Sequence, residues 1–178
     1  RSQIDRIDSL RVGSTKYIVI IDYKSGRKNL DLTQIFTGLE LQLLTYMYVT
    51  ILNMGEDAAP AAVLYCYVRN DKTNLKHIIP DDERAELYHK NSKLSGFYLD
   101  DSDIMKALDT SMSGYSAFLN VRMKKDGTLS NQSKNMYNEE GWQQLLQLAT
   151  KRIKDIATKL DAGQIDIEPV LLGQLSPC

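Results

Sequence analysis

The sequence predicts an α/β fold, a central mixed sheet flanked by helices. An alternating segment, SQIDRIDSLRV, is followed by a turn and by the apolar strand KYIVIIDYK, and the two make a hairpin. A long apolar segment of helical period then separates this hairpin from another buried strand, PAAVLYCYV. Two strands that both read as fully buried and are joined through a helix imply a parallel crossover, so antiparallel and parallel pairing share one sheet.

At 178 residues, 43% hydrophobic and 25% charged, the chain suits one globular domain with a sizeable core. No apolar stretch approaches the roughly 18–20 residues that span a bilayer, and the N-terminus lacks a charged-then-apolar leader pattern. The expected compartment is cytoplasmic, with no membrane partner. A formal net charge of -1 neither requires nor excludes a polyanionic partner, because a local basic patch is enough to hold one. RSQIDRID opens inside a strand-like pattern and the sequence stops at Cys178, directly after GQLSP, so a piece of a longer protein is expected.

After the polar loop SGRKNLDLTQ comes IFTGLELQLLTYMYVTILNMG, about twenty residues without proline and apolar around most of the helical circumference. It reads as one buried or doubly covered helix ended by Gly55. The second half is less regular. DDERAELYHK opens a short helix with acids in its first turn, DSDIMKALDTS a second, and YSAFLNVRMKKDGTLS reads as a strand running into a turn at Asp126 and Gly127. NEEGWQQLLQLATKRIKDIATKLDAGQ is the clearest amphipathic helix, capped by Asn138 and ended by Gly163. Its apolar face is marked by Trp142, Leu145, Leu146, Ala149, Ile153, Ile156 and Leu160. No repeat or linker divides the chain.

The strand KYIVIIDYK ends unusually, on an acid and a lysine. Side chains alternate along a strand, so Asp22 and Lys24 share a face with Ile18 and Ile20 while Tyr23 points the other way. Asp5 lies seventeen positions earlier, on the hairpin partner. If the hairpin closes near VGST, Asp5 comes close to Asp22, and two carboxylates that close in a poorly solvated place repel unless a cation lies between them. Hard oxygen ligands favour Mg²⁺ or Mn²⁺ over zinc. A lysine beside them would help an attacking hydroxide form and offset charge developing on phosphorus. Taken alone, Asp-x-Lys at a strand end reads more simply as a solvated end or a surface ion pair. The set points to chemistry: an acid in the first strand, Asp-Tyr-Lys ending an apolar second strand, and QLLTY in the helix that follows.

IDRID, VIIDYKSG and GLELQLLTYMY, in that order and spacing, resemble the RecB-like branch of the PD-(D/E)XK nuclease superfamily. Within it, the likeness is to the C-terminal nuclease domains of the AddB-type subunits of AddAB ATP-dependent helicase–nucleases. KLSGFYLDDSDIMKALD, KDGTLSNQSK and AGQIDIEPVLLGQLSPC resemble the rest of that domain, so the likeness covers essentially the whole chain. It implies a restriction-endonuclease-like core in a single domain over residues 1–178, with catalytic strands and helix in 1–70 and a family-specific half in 71–178. It also implies a metal-dependent DNA exonuclease that processes double-strand break ends for recombinational repair, with DNA and an AddA-like subunit as partners. Carried onto this sequence, Asp5 and Asp22 would ligate Mg²⁺ or Mn²⁺, with the backbone carbonyl of Tyr23 as a further ligand, and Lys24 would orient and activate the water. Gln42 and Tyr46 match the family's Gln-x-x-x-Tyr motif; four apart on one helical face, they would reach the site or the DNA backbone. Without the resemblance both read as packing residues. Asp8 and Arg6, on the strand face opposite Asp5, are left to structural salt bridging.

Two departures accompany the resemblance. Family members carry glycine where Ser2 stands, and an upstream Glu or His on a preceding helix completes the metal site; that first core helix is missing here, so weak metal binding is expected of the chain alone. AddB-type domains also hold a 4Fe-4S iron–sulfur cluster, using one cysteine upstream of the core and three near the C-terminus. Cys178, after Ser176 and Pro177, matches the first of that trio, whereas Cys66 reads as a small buried hydrophobe, and these two alone cannot build a cluster. The alternative function is a non-catalytic nuclease-fold module that binds DNA or a partner; retention of Asp5, Asp22 and Lys24 together argues against it.

Other chemistry-bearing residues read more plainly. His77 and His89 fit no metal-ligand spacing and are taken as surface or capping residues. YHKNSKLSGFY interleaves Tyr88, His89, Lys90, Lys93, Phe97 and Tyr98 as single-strand binding surfaces do, although a solvated loop is the simpler reading. The pairs Lys124–Lys125 and Lys151–Arg152 read as exposed charge, with phosphate contact the lesser alternative.

Overall fold

In the computed structural model, the described residues are 3–26, 28, 30–68, 80, 81, 83, 93–130, 133 and 135–165. β1 (Arg6–Val12) and β2 (Thr15–Lys24) form the antiparallel hairpin that the sequence predicts, turning at Gly13 in the left-handed region (φ 60°), with Arg6 across from Ile21 and Val12 across from Thr15. β3 (Ala58–Tyr67) lies on the other side of β2 and parallel to it. β4 (Ser95–Leu99) runs antiparallel to β3, and β5 (Met136–Tyr137), a short strand the sequence did not announce, runs parallel to β4. The result is one five-stranded mixed sheet in the order β1-β2-β3-β4-β5.

Every residue from Ile18 to Asp22 and from Ala61 to Tyr65 is buried, so both faces of the two central strands are covered, as their unbroken apolar runs require. The β2–β3 register contains a bulge: Ile18 pairs with Pro60 but Val19 pairs with Ala62, which leaves Ala61 as one extra residue in β3. β4 approaches β3 closely at Gly96, where a Cβ would lie 1.9 Å from the Val63 carbonyl oxygen.

The single helix expected over IFTGLELQLLTYMYVTILNMG is two. α1 (Leu32–Thr37) is capped by Asp31, whose Oδ1 accepts the Thr33 N–H at 2.7 Å, and it stops at Gly38 in the left-handed region (φ 90°). α2 (Gln42–Met54) begins after Glu40 and Leu41 and ends at Gly55. Gly38 adopts the left-handed cap without a Cβ penalty, and the apolar periodicity continuing on both sides hides the break. Nor is α2 covered all round: Leu43, Leu44, Tyr46, Met47 and Thr50 are buried while Val49, Leu52 and Met54 are exposed.

α2 packs on β2 and β3, and the long α4 (Glu139–Asp161) packs along α2 and α1. Asn138 caps α4 as expected, accepting the Gly141 N–H at 2.8 Å. Trp142, Leu145 and Ala149 are buried, but Ile153, Ile156 and Leu160 on the same stripe are exposed. α3 (Ser102–Leu108), also anticipated, is capped by the Asp101 carboxylate and lies against β1. The strand expected at YSAFLNVRMKKDGTLS is an irregular loop instead, with isolated bridges Tyr115–Arg122 and Met123–Leu129 around the Asp126–Gly127 turn. Side-chain bonds hold it: buried Asp109 accepts from the Ser111 hydroxyl and the Ser116 hydroxyl, each at 2.6 Å.

Among the described residues no helix is long and apolar enough to cross a membrane. The helix expected at DDERAELYHK falls mostly outside the described residues, and Ser2, His77, Tyr88, His89, Lys90 and Cys178 fall outside them altogether.

Candidate active site

β2 and β3 are parallel, so their carboxyl-terminal ends meet at one edge of the sheet, and Asp22 and Lys24 stand there. Asp22 is only 3% exposed. Its Oδ2 lies 2.6 Å from Lys24 Nζ but accepts no hydrogen bond: the charges touch, off the direction a hydrogen bond needs. Its Oδ1 is 3.4 Å from Gln42 Nε2 at the start of α2. That amide also donates to Tyr46 Oη at 3.0 Å, its Oε1 accepts from Lys24 Nζ at 3.4 Å, and Tyr46 Oη donates to the Gln3 carbonyl at 3.1 Å. Alternation on β2 and the four-residue spacing on α2 thus bring Asp22, Lys24, Gln42 and Tyr46 into one connected network.

Asp5 joins from the hairpin. Continuing the β1–β2 register one step past Arg6–Ile21 sets it across from Asp22, and there its Oδ2 accepts the Tyr23 N–H at 3.0 Å. The Tyr23 side chain is exposed, and Arg6 and Asp8 form their own pair, Nε to Oδ1 at 2.9 Å. Asp8, and after it the Tyr23 hydroxyl, push the Arg6 guanidinium further up, so it stays cationic. Cys66, one residue beyond Tyr65 on β3, is partly rather than fully buried; burial pushes its thiol up, which disfavours the thiolate that a ligand or nucleophile needs.

A second group that the sequence reading missed adjoins the first. Tyr65 pairs with Asp22 across β2–β3, is fully buried, and donates to Glu40 Oε2 at 2.7 Å. Glu40 Oε1 is 2.7 Å from Lys28 Nζ. Lys24 Nζ and Lys28 Nζ lie 5.6 and 5.7 Å from the Tyr65 ring centre, within cation–π range. Burial, reinforced by Glu40, pushes the Tyr65 phenol up and keeps it a donor. One signal for this group was available: Glu40 is an isolated acid between Leu39 and Leu41. Tyr65 gave none, being one more residue in an apolar strand.

The donors suit a hard cation. A buried carboxylate oxygen without a hydrogen bond fits Mg²⁺ or Mn²⁺, and the nitrogens described beside it, the Lys24 ammonium and the Gln42 amide, are not the imidazole nitrogens that zinc prefers. Among the described residues no group of three or more His, Cys, Asp or Glu is placed to hold a metal ion.

The sequence model of the PD-(D/E)XK nuclease superfamily matches residues 1–172. The chain belongs to the PD-(D/E)XK nuclease superfamily. The mixed sheet with flanking helices is the α/β fold the sequence predicted. Curated relatives are named as B-type subunits of an ATP-dependent helicase/deoxyribonuclease. Those from Thermoanaerobacter sp. (strain X514) and Clostridium tetani (strain Massachusetts / E88) are each 34% identical, over 179 and 180 residues, and that from Bacillus mycoides (strain KBAB4) is 33% identical over 183. Each alignment covers 99% of this PD-(D/E)XK chain and 16% of the relative, so the chain spans a small part of their length.

Proposed function

We propose that this chain is a single metal-dependent DNA exonuclease domain, residues 1–178, within a longer ATP-dependent helicase–nuclease subunit that processes double-strand break ends for recombinational repair. Membership of the nuclease superfamily and the name its relatives carry support this reading. The observation that carries it is the contact between the buried, hydrogen-bond-free Asp22 Oδ2 and Lys24 Nζ at 2.6 Å. Under this proposal the substrate is DNA, the partner is an AddA-like subunit, the compartment is the cytoplasm, and Cys178 contributes to a 4Fe-4S cluster in the longer protein.

Asp5, Asp22 and the main-chain carbonyl of Tyr23 would hold Mg²⁺ or Mn²⁺, which when bound supplies Lewis-acid polarisation and lowers the pKa of a water. The residues of the chain do the positioning. Gln42, held by Tyr46, braces the Asp22 carboxylate from the start of α2. Lys24 presents ammonium donors to the attacking water and to the charge that grows as a P–O bond forms to water and the P–O bond to the sugar oxygen breaks. Burial strengthens both effects, because charges interact more strongly away from bulk water.

The test uses the full-length subunit assembled with its partner. Lys24→Ala is expected to lower Mg²⁺-dependent cleavage of linear DNA by about 10²–10³ with an unchanged melting temperature. Cleavage at the wild-type rate would remove the assignment.

A further inference from the structure

The Lys24 ammonium has a third neighbour besides its two oxygens. Asp22 Oδ2 lies 2.6 Å from it and Gln42 Oε1 3.4 Å, and the centre of the Tyr65 ring, carried across the β2–β3 pairing from Asp22, is 5.6 Å away. These neighbours act differently on a lysine. A further carboxylate in the place of the ring would take one of the three N–H groups and cancel the charge. A ring face attracts the cation through its quadrupole, claims no single N–H and leaves the charge in force. A lysine that must face a water and a growing negative charge keeps its donors available beside such a neighbour.

The ring is itself held. Tyr65 is fully buried in β3, and its hydroxyl donates to Glu40 Oε2 at 2.7 Å. Glu40 Oε1 is engaged by Lys28 Nζ at 2.7 Å. The Lys28 main chain is fixed in turn: its N–H donates to the Tyr67 hydroxyl at 2.7 Å, and its carbonyl accepts from Tyr67 and, at 3.1 Å, from Ser95 Oγ. The two ammonium groups at one ring are thereby sorted, Lys28 to Glu40 and Lys24 to Asp22. Burying a phenol and a carboxylate together costs more than burying an apolar side chain of the same size, so packing alone does not account for the pair.

We propose that Tyr65, anchored by Glu40, is a positioning residue for Lys24, its ring holding the ammonium beside Asp22 while leaving the N–H groups to water and phosphate. The proposal rests on the nuclease reading and adds to it a residue from β3. In the full-length helicase–nuclease complex, Tyr65 is replaced by phenylalanine and by its mono-, di- and trifluorinated analogues, which keep the shape of the ring while draining negative charge from its face. Relative to Tyr65→Phe, kcat for Mg²⁺-dependent cleavage of linear DNA is expected to fall in steps, to about tenfold lower with the trifluorinated ring, at unchanged KM and melting temperature. A residue that only packs gives a level series, and that result overturns the proposal. A second readout needs no cleavage: reductive methylation of Lys24, quantified by mass spectrometry without DNA or metal. Labelling is expected to be at least about twofold faster with the trifluorinated ring than with phenylalanine, because the ammonium is held less firmly. Equal labelling rates overturn the contact. If the wild-type complex cleaves nothing, the nuclease reading fails, and the labelling alone decides whether the ring holds Lys24.

Discussion

Two buried aspartates show how differently one residue type is used. Asp22 keeps an oxygen free of hydrogen bonds beside Lys24, while Asp109 has its carboxylate bonded by the Ser111 N–H and the Ser111 and Ser116 hydroxyls. Burial acts to raise the Asp109 carboxyl, but these bonds outweigh it and hold the group below the usual carboxylate range. A folded-state value below the unfolded one gives stability that is present above the unfolded pKa, about 3.9, and is lost as pH falls through the folded value. Asp109→Ala is therefore expected to cost about 2 kcal/mol at neutral pH, because it strands the buried Ser116 hydroxyl. In urea melts the gap between wild type and variant should narrow below about pH 3.9; a gap independent of pH would exclude the charged form as its source. At this scale the site was largely legible. Asp22, Lys24, Gln42 and Tyr46 meet through local periodicity on one strand and one helix, whereas Tyr65 and Glu40 are placed by sheet register and by the break between α1 and α2, which leave no local pattern.

The hairpin, the parallel crossover, α3 and the capped α4 could all be read from alternation, helical spacing and cap residues. The failures share one cause: hydrophobic pattern reports which faces are covered and not whether the backbone is continuous. It missed the break at Gly38, and it assigned a strand leading into the Asp126–Gly127 turn where buried side-chain bonds around Asp109 organise the chain. Gly96 is a place where the backbone decides. The Cβ of Gly96→Ala would meet the Val63 carbonyl oxygen at 1.9 Å, and no rotamer can relieve a main-chain clash. Separating β3 from β4 should cost about 1–3 kcal/mol. Denaturant titration measures this, and a midpoint unchanged from wild type would show that the strands shift apart freely.

For the whole molecule, a net charge of -1 means that attraction to a polyanion depends on where the cations sit. Lys28 is the informative one, since its ammonium is partly exposed and shared between Glu40 and the Tyr65 ring. If single-stranded DNA draws it onto a phosphate, Lys28→Gln in the full-length protein should lower the slope of log affinity against log salt by about 0.7. An unchanged slope would mean that the lysine stays with Glu40 in the complex.

The bulge in β3 reaches further than its single residue suggests. Had the strands kept the pairing of Ile18 with Pro60, Leu64 would stand beside Asp22; with Ala61 inserted, Tyr65 stands there instead. One added alanine in a featureless apolar run thereby exchanges an aliphatic neighbour for a hydroxylated ring under two ammonium groups. A length change of one residue in this strand would rewrite the surroundings of the acid without altering any residue that touches it now.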